Sequence, residues 1–233
     1  MNLIQRAKNI VLTPKSEWEV IAPEVTSTGE LYKSYIVPLA AIGPISSFIG
    51  LSIVGVSLPF MGSYRVPFLS GLSMSVVSYV LGLVGIYVIA LIINALAPTF
   101  GGEKNQEQAL KVAAYAGTPA WIAGVLHILP ALSVLVLLAG LYSLYVLYLG
   151  LPVLMKAPKE KAVGYTVVVM ISAIVLSAAI GLVGGIFGGP DKGLAQMGMN
   201  TEQSSSQAIP PEAAAAMKQL QQLSDNMDAA NKK

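Results

Sequence analysis

Charged residues are scarce in this sequence, and their scarcity excludes an ordinary soluble domain. Only 11% of the 233 residues are charged while 55% are hydrophobic, whereas average globular chains carry about 25% charged residues. The chain contains no cysteine, so disulfides, thiolate chemistry and cysteine-based metal sites are excluded. The net charge is only +2, and no basic cluster is present. Nucleic acid is therefore not an expected partner.

Four long stretches of the chain lack any Asp, Glu, Lys or Arg. They lie between Lys33 and Arg65, Arg65 and Glu103, Lys111 and Lys156, and Lys161 and Asp191. A membrane-spanning helix needs about 20 mostly apolar residues, because a rise of ~1.5 Å per residue must cross ~30 Å of hydrocarbon. The third stretch is long enough for two spans and divides at His127 to Pro130. The sequence therefore predicts five spans, at 35–58, 70–96, 110–129, 132–155 and 163–187.

The predicted fold class is all-α, a polytopic membrane helix bundle. An unpaired backbone group in lipid costs several kcal/mol, and the apolar runs lack the alternation of barrel strands. Three regions follow. Residues 1–34 are predicted to be a cytoplasmic amphipathic segment, 35–189 the five-helix transmembrane domain, and 190–233 a flexible extracytoplasmic tail with a short conditional helix at 212–230.

The N-terminal segment shows helical periodicity before the first span. Its apolar residues fall on one face, with Arg6, Lys8 and Asn9 off it; they are Leu3, Ile4, Ala7, Ile10 and Val11. Thr13 and Pro14 then suit the start of a second helix. Two interpretations remain open, a helix that caps the bundle and a helix that lies in the headgroups.

Basic residues predict the orientation of the chain. With the N-terminus inside, nine face the cytoplasm and two, Arg65 and Lys192, lie near the membrane on the other side. The nine are Arg6, Lys8, Lys15, Lys33, Lys104, Lys111, Lys156, Lys159 and Lys161. The excess predicts an inner-membrane protein with a cytoplasmic N-terminus and an extracytoplasmic C-terminus.

The charge-free stretches also argue against catalysis and ion-coupled transport. Ionisable groups inside a membrane usually mark ion pathways or proton relays, and these stretches contain no carboxylate, lysine or arginine. Intramembrane proteases need metal ligands or paired carboxylates. His127 is the single histidine and is interpreted as structural. We therefore expect no enzymatic activity, no cofactor and no metal.

Small residues recur every four positions along the last span, at Ser177, Gly181, Gly185 and Gly189. We call these four residues the small-residue stripe. Such a stripe lets another backbone approach closely. It predicts helix packing, either within one chain or as a seam between two copies.

Tyrosines, an asparagine and prolines gather at the predicted cytoplasmic ends of the spans. These candidate residues are Tyr35, Pro38, Asn94, Pro98, Tyr115, Pro119, Tyr148 and Pro152. Interfacial tyrosines need no function, but each proline frees a carbonyl four residues back. The group predicts a polar cavity or docking site. In a packing module, Asn94 and Tyr115 should bond to each other or to carbonyls freed by Pro98 and Pro119; in a carrier, they should line a wet cavity.

Several of these segments resemble the Yip-one domain, that is, the Ypt-interacting-protein family, in a bacterial form. The resemblance runs from about Leu12 to Ile186, and its most specific piece is the Tyr-x-x-x-Pro pattern of the third span. The segments are Tyr35-Ile-Val-Pro38, Asn94-Ala-Leu-Ala-Pro98-Thr-Phe-Gly-Gly102, Tyr115-Ala-Gly-Thr-Pro119-Ala-Trp121, and Leu141 to Tyr145 with Gly150-Leu-Pro152.

Membership of this family would imply five spans, an internal N-terminus and an external C-terminus. Eukaryotic relatives are associated with Rab-type GTPases and vesicle traffic, but this chain lacks their long N-terminal region, so that role is not carried over. The expected function is a packing or adaptor module that assembles in the bilayer with itself or with other membrane proteins. The alternative is an uncoupled carrier or channel for a neutral or amphipathic solute.

Overall fold

A computed structural model describes residues 2–58, 62–129, 132 and 134–187. Within these residues, five helical segments are long and apolar enough to cross a membrane, which confirms the predicted fold class. They are α3 (Thr28–Val54), α4 (Phe68–Phe100), α5 (Gln106–Ile128), α6 (Val134–Leu154) and α7 (Lys159–Phe187). The predicted tail at 190–233, its helix at 212–230 and Gly189 lie outside the described residues.

Two short helices precede the first span. Helix α1 runs from Leu3–Leu12 and α2 from Pro14–Ile21. Asn2 starts α1 because its side-chain oxygen accepts a hydrogen bond from the Gln5 backbone N–H at 2.8 Å. Pro14 starts α2, where a missing N–H costs nothing. The two helices form a pair that packs against α5 and α6.

Helix α3 is irregular, and its prolines explain part of the irregularity. It consists of α-helical pieces at Thr28–Leu31, Val37–Ala40 and Ile42–Phe48 and wider π-helical turns at Tyr32–Ile36 and Ile49–Val54. Pro38 has no N–H to donate to the preceding turn. The wider turn just before it lets the Val37 N–H reach the Tyr32 carbonyl instead.

The first span ends earlier than the sequence predicted. Residue 58 was the expected end, whereas α3 stops at Val54 because Gly55 adopts a left-handed φ of 85°. Strand β1 (Val56–Leu58) then pairs antiparallel with β2 (Gly62–Tyr64), with Ser57 opposite Ser63. The connection between α3 and α4 is thus a short hairpin.

The remaining spans are simpler. Helix α4 is regular from Phe68–Leu96 and ends in a 3₁₀ turn at Ala97–Phe100. Helix α5 is broken at Gly117 into Gln106–Ala116 and Thr118–Ala123, followed by a 3₁₀ turn at Gly124–Ile128. Helix α6 is continuous over Val134–Leu154 despite Pro152 near its end.

The buried core lies toward one end of the bundle. Its large members come from α1, α2, the start of α5 and α7 and the end of α4 and α6; they include Ile10, Trp18, Ile21, Ile93, Leu110, Leu151, Met155 and Tyr165. Apolar side chains elsewhere on the spans face outward, among them Val80, Leu138 and Ile174. In a bilayer those side chains contact lipid. We call the well-packed end the N-terminal end of the bundle.

Candidate functional site

Two of the candidate tyrosines meet inside the N-terminal end. The rings of Tyr35 and Tyr115 pack edge to face with centroids 4.7 Å apart. Trp18 of α2 adds a second edge contact to Tyr115, at 6.1 Å. All three side chains are at least 95% buried. Together Trp18, Tyr35 and Tyr115 form the aromatic cluster.

The break in α5 supplies the polar partner of this cluster. Pro119 has no N–H for the Tyr115 carbonyl, and the helix is interrupted at Gly117. Thr118, beside the break, is fully buried, and its hydroxyl lies 2.8 Å from the Tyr35 hydroxyl. The specific Tyr-x-x-x-Pro pattern therefore places a buried hydroxyl where Tyr35 needs a hydrogen-bond partner.

The other candidate residues do not join the aromatic cluster. Pro38 and Pro98 are exposed, and Tyr148 and Pro152 are half-buried on α6. Among the described residues no hydrogen bond joins Asn94 to Tyr115. The Asn94 side-chain oxygen is buried without a partner there.

Pro98 belongs to a second arrangement, the turn that links α4 to α5. Phe100 stacks on Tyr165 with centroids 4.8 Å apart and ring planes 8° from parallel, and the Tyr165 hydroxyl donates to the Ile93 carbonyl. Gly101 follows with φ 77°, a conformation suited to glycine. The second half of the Asn94 to Gly102 motif thus forms the turn between α4 and α5.

A buried ion pair, which was not predicted from the residue pattern, lies beside the aromatic cluster. The Arg6 guanidinium donates to Glu17 at 2.6 Å and also to Glu24, while Asn9 donates to the second Glu17 oxygen at 3.0 Å. Arg6 and Glu17 are only 5% and 4% exposed. The placement of Arg6 off the buried face of α1 was therefore wrong.

Arg6 also lies over the Tyr115 ring, with its central carbon 5.7 Å from the ring centroid, within the range of a cation–π contact. Burial lowers the pKa of Arg6. The hydrogen bond and negative charge of Glu24, helped by Glu17, outweigh burial and raise that pKa above its ordinary value. Arg6 is therefore charged at any physiological pH.

A second cation, Lys111, is buried at the start of α5. Its ammonium group donates to the carbonyls of Ile21, at 3.4 Å, and Glu24. Gln108 donates to the neighbouring Ala22 carbonyl at 3.0 Å. These bonds satisfy carbonyls at the C-terminal end of α2, where a positive charge is favourable. Lys111 is only 2% exposed and holds α2 in place.

Trp18 anchors the helix pair on α6. Its indole N–H donates to the Val146 carbonyl at 3.1 Å, and its ring covers Gly150, where a Cβ atom would lie only 2.7 Å away. Tyr142, which lies about three turns before Leu154 on α6, donates to the Val11 carbonyl at 2.7 Å. The N-terminal helix pair therefore packs on the half of α6 that carries Tyr148 and Pro152.

An apolar groove of about 240 Å³ lies on the side of the bundle, between α4, α5 and α7. Its lining includes Gly82, Gly85, Ala113, Gly117, Trp121 and Ser177. We call it the lateral groove. Ser177 of the small-residue stripe lines it. Gly181 is exposed, and a Cβ atom there would meet no atom within 4 Å; Gly185 lies further along α7.

Metal ligands do not gather in the part of the chain that the structure describes, where no group of three or more His, Asp or Glu side chains could hold an ion. His127 lies in the 3₁₀ turn of α5, and its ring nitrogen is 3.1 Å from the Gly124 carbonyl oxygen. The His127 ring therefore has a hydrogen-bond partner within its own helical turn.

These features define a polytopic helical membrane protein whose interior is closed at one end by its own N-terminal helices. Residues 8–181 match the Yip1 domain, and the chain belongs to the Yip1 family. The match begins just after Arg6 and includes Glu17, Trp18 and the whole aromatic cluster. The resemblance seen in the sequence is thereby confirmed.

Two similar proteins are named as inner-membrane proteins. The chain is 26% identical over 156 residues to Inner membrane protein YohC of Escherichia coli K12, covering 66% of this chain and 80% of that protein. The protein of the same name from Escherichia coli O6:H1 matches equally well. No solved structure matches.

Proposed function

We propose that this protein is an adaptor of the inner membrane. It packs laterally against the helices of a second copy or of another membrane protein, and it moves no solute. Its N-terminus is cytoplasmic and its C-terminus extracytoplasmic in this proposal. The observation that carries it is the surface of small residues on α4, α5 and α7, open to the bilayer at the lateral groove and at Gly181.

Small residues favour association in a membrane because lipid supplies no hydrophobic drive between helices. Close backbone approach then gives dispersion contacts and weak hydrogen bonds. Among the described residues, a Cβ atom at Gly82 or Gly181 would meet nothing within 4 Å, so the packing of the described helices does not use these positions. Gly85, by contrast, is covered, because a Cβ atom there would lie 3.1 Å from Ile180.

The closed N-terminal end supports an adaptor over a carrier. A carrier would use the candidate tyrosines to line a wet path, yet Tyr35 is hydrogen-bonded to Thr118 and Tyr115 is covered by Trp18 and Arg6. Asn94, with its unpaired oxygen, is the one candidate residue that favours the carrier.

Gly181→Leu tests the adaptor proposal. We expect it to weaken association of the purified chain, measured by energy transfer between labelled copies in bilayers and by co-purification of partners. An overpacked contact costs about 1–3 kcal/mol, and each 1.4 kcal/mol is roughly tenfold in affinity. Thermal stability should not change, because a Cβ atom at Gly181 would meet no atom of the described helices within 4 Å.

The matched control is Leu182→Ile, at an exposed neighbouring position off the stripe. Equal association of the two variants would remove the role of the stripe. Flux of a neutral solute through proteoliposomes that contain the wild-type chain would favour the carrier instead.

The proposed orientation predicts the behaviour of two reporter fusions. A reporter after Lys233 should be active only outside the cytoplasm, and one between Lys156 and Lys161 only inside. The reason is the excess of basic residues at the N-terminal end, nine against two. If both fusions reported the same side, the orientation would be wrong.

A further inference from the structure

Helix α1 has a second face that the bundle does not cover. Its inner face buries Ala7 and Ile10. The opposite face exposes 74% of Ile4 and 66% of Leu12, with exposed Lys8 one helical turn from each. Lys15 is exposed at the start of α2. We call Ile4, Lys8, Leu12 and Lys15 the outer face.

The contacts with α6 show how far the helix pair reaches along a span. Helix α6 has 21 residues, about 31 Å at ~1.5 Å each. Trp18 of α2 contacts Val146 and Gly150, which precede Leu154 by two turns and one turn. Those residues are roughly 12 and 6 Å from the end of the helix. Tyr142, about three turns before Leu154, also donates to the Val11 carbonyl. The pair therefore lies alongside the second half of α6, not above its end.

The exposed charges of the two helices are two lysines and one carboxylate, Lys8, Lys15 and Glu19. Glu17 and Glu24 both form salt bridges with Arg6. Lysine side chains can extend from an apolar surface to phosphate groups while Ile and Leu side chains enter the acyl boundary.

We propose that the outer face binds the anionic phospholipid surface of the leaflet at the N-terminal end. Ile4 and Leu12 lie at the boundary between headgroups and acyl chains, and Lys8 and Lys15 pair with lipid phosphates. The negative surface of a membrane attracts basic residues held this close to it. The helix pair is then fixed on one side by the bundle and on the other by lipid.

Site-directed spin labels test this contact, because the chain has no cysteine to remove. Full-length Ile4→Cys and Leu12→Cys variants are labelled and placed in nanodiscs of phosphatidylcholine, with or without phosphatidylglycerol. We expect both labels to be several-fold less accessible to a water-soluble nickel chelate than a label at Lys104→Cys, in the exposed α4–α5 loop. Phosphatidylglycerol should increase the protection. Both leaflets are alike, so the result does not depend on orientation or on the adaptor role.

Lys8→Gln combined with Lys15→Gln should abolish the added protection that phosphatidylglycerol gives, while Lys104→Gln should leave it intact. These lysines are exposed, so the fold should be retained. Chelate access at positions 4 and 12 equal to that at 104 would overturn the membrane contact. Protection that ignored phosphatidylglycerol and both lysines would overturn the binding of anionic lipid.

Discussion

Arg6→Met is expected to lower the free energy of unfolding in mild detergent by about 3–5 kcal/mol. It removes one partner of a buried ion pair and leaves the Glu17 carboxylate, 4% exposed, without its counter-charge. Asn9 would remain as a hydrogen-bond donor to Glu17, but a neutral amide cannot balance a buried charge. Denaturant titration followed by the near-UV signal of Trp18 measures the loss.

Glu103→Gln is the matched control. Its salt bridge with Lys156 has a similar length, 2.7 Å, but both side chains are about two-thirds exposed, so its removal should cost less than ~1 kcal/mol. Arg6→Met with Glu17→Leu should recover much of the loss, because replacing both charges by apolar groups is often near neutral. Equal losses from Arg6→Met and Glu103→Gln would contradict the buried network.

The five spans could be predicted because one physical requirement, the absence of charge over ~20 residues, is visible in sequence. The irregularities inside them were harder to foresee. The π turn at Tyr32–Ile36 and the hairpin after Gly55 depend on which local hydrogen bonds replace those that are lost. A proline signals the missing donor but not the substitute that the chain will adopt.

The N-terminal helices could be predicted from their periodicity, but the burial of Arg6 and Glu17 could not. Charged residues are rarely buried unless they are paired, and Arg6 and Glu17 are paired across two helices. Trp18 reaches Val146, far away in sequence. Spacing alone shows neither contact. Lys111 was counted only among the basic residues that face the cytoplasm, because the backbone carbonyls that it binds have no signature in sequence.

The candidate site was half predictable. The rings of Tyr35 and Tyr115 are in contact. The break in α5 before Pro119 places the Thr118 hydroxyl within hydrogen-bond distance of Tyr35. Pro98 instead lies in a loop where Phe100 and Tyr165 stack. Prolines near the ends of spans indicate irregular backbone, but which way each helix turns its side chains depends on packing.

The lateral groove and the closed N-terminal end are consistent with one role. A module that associates through its sides gains from a stable, well-packed end, and it needs no path along its axis. The aromatic cluster, the Arg6 pair and Lys111 supply that end, while α4 and α7 leave small residues toward the bilayer. A test of the closure therefore also bears on the choice between adaptor and carrier.

Trp18→Ala is the variant expected to open the N-terminal end. Trp18 is fully buried, and truncation of a core tryptophan costs about 3–5 kcal/mol. The change also removes the donor of the Val146 bond and uncovers Gly150 and Tyr115. In a Tyr115→Cys background, a charged thiol reagent added from the N-terminal side should react far faster once Trp18 is removed, approaching the rate of Lys104→Cys.

Trp121→Ala is the control, because Trp121 lines the lateral groove and is only half-buried; it should leave labelling at position 115 slow. Fast labelling of Tyr115→Cys with Trp18 intact would show that the end is already open to water, as a carrier requires and an adaptor does not.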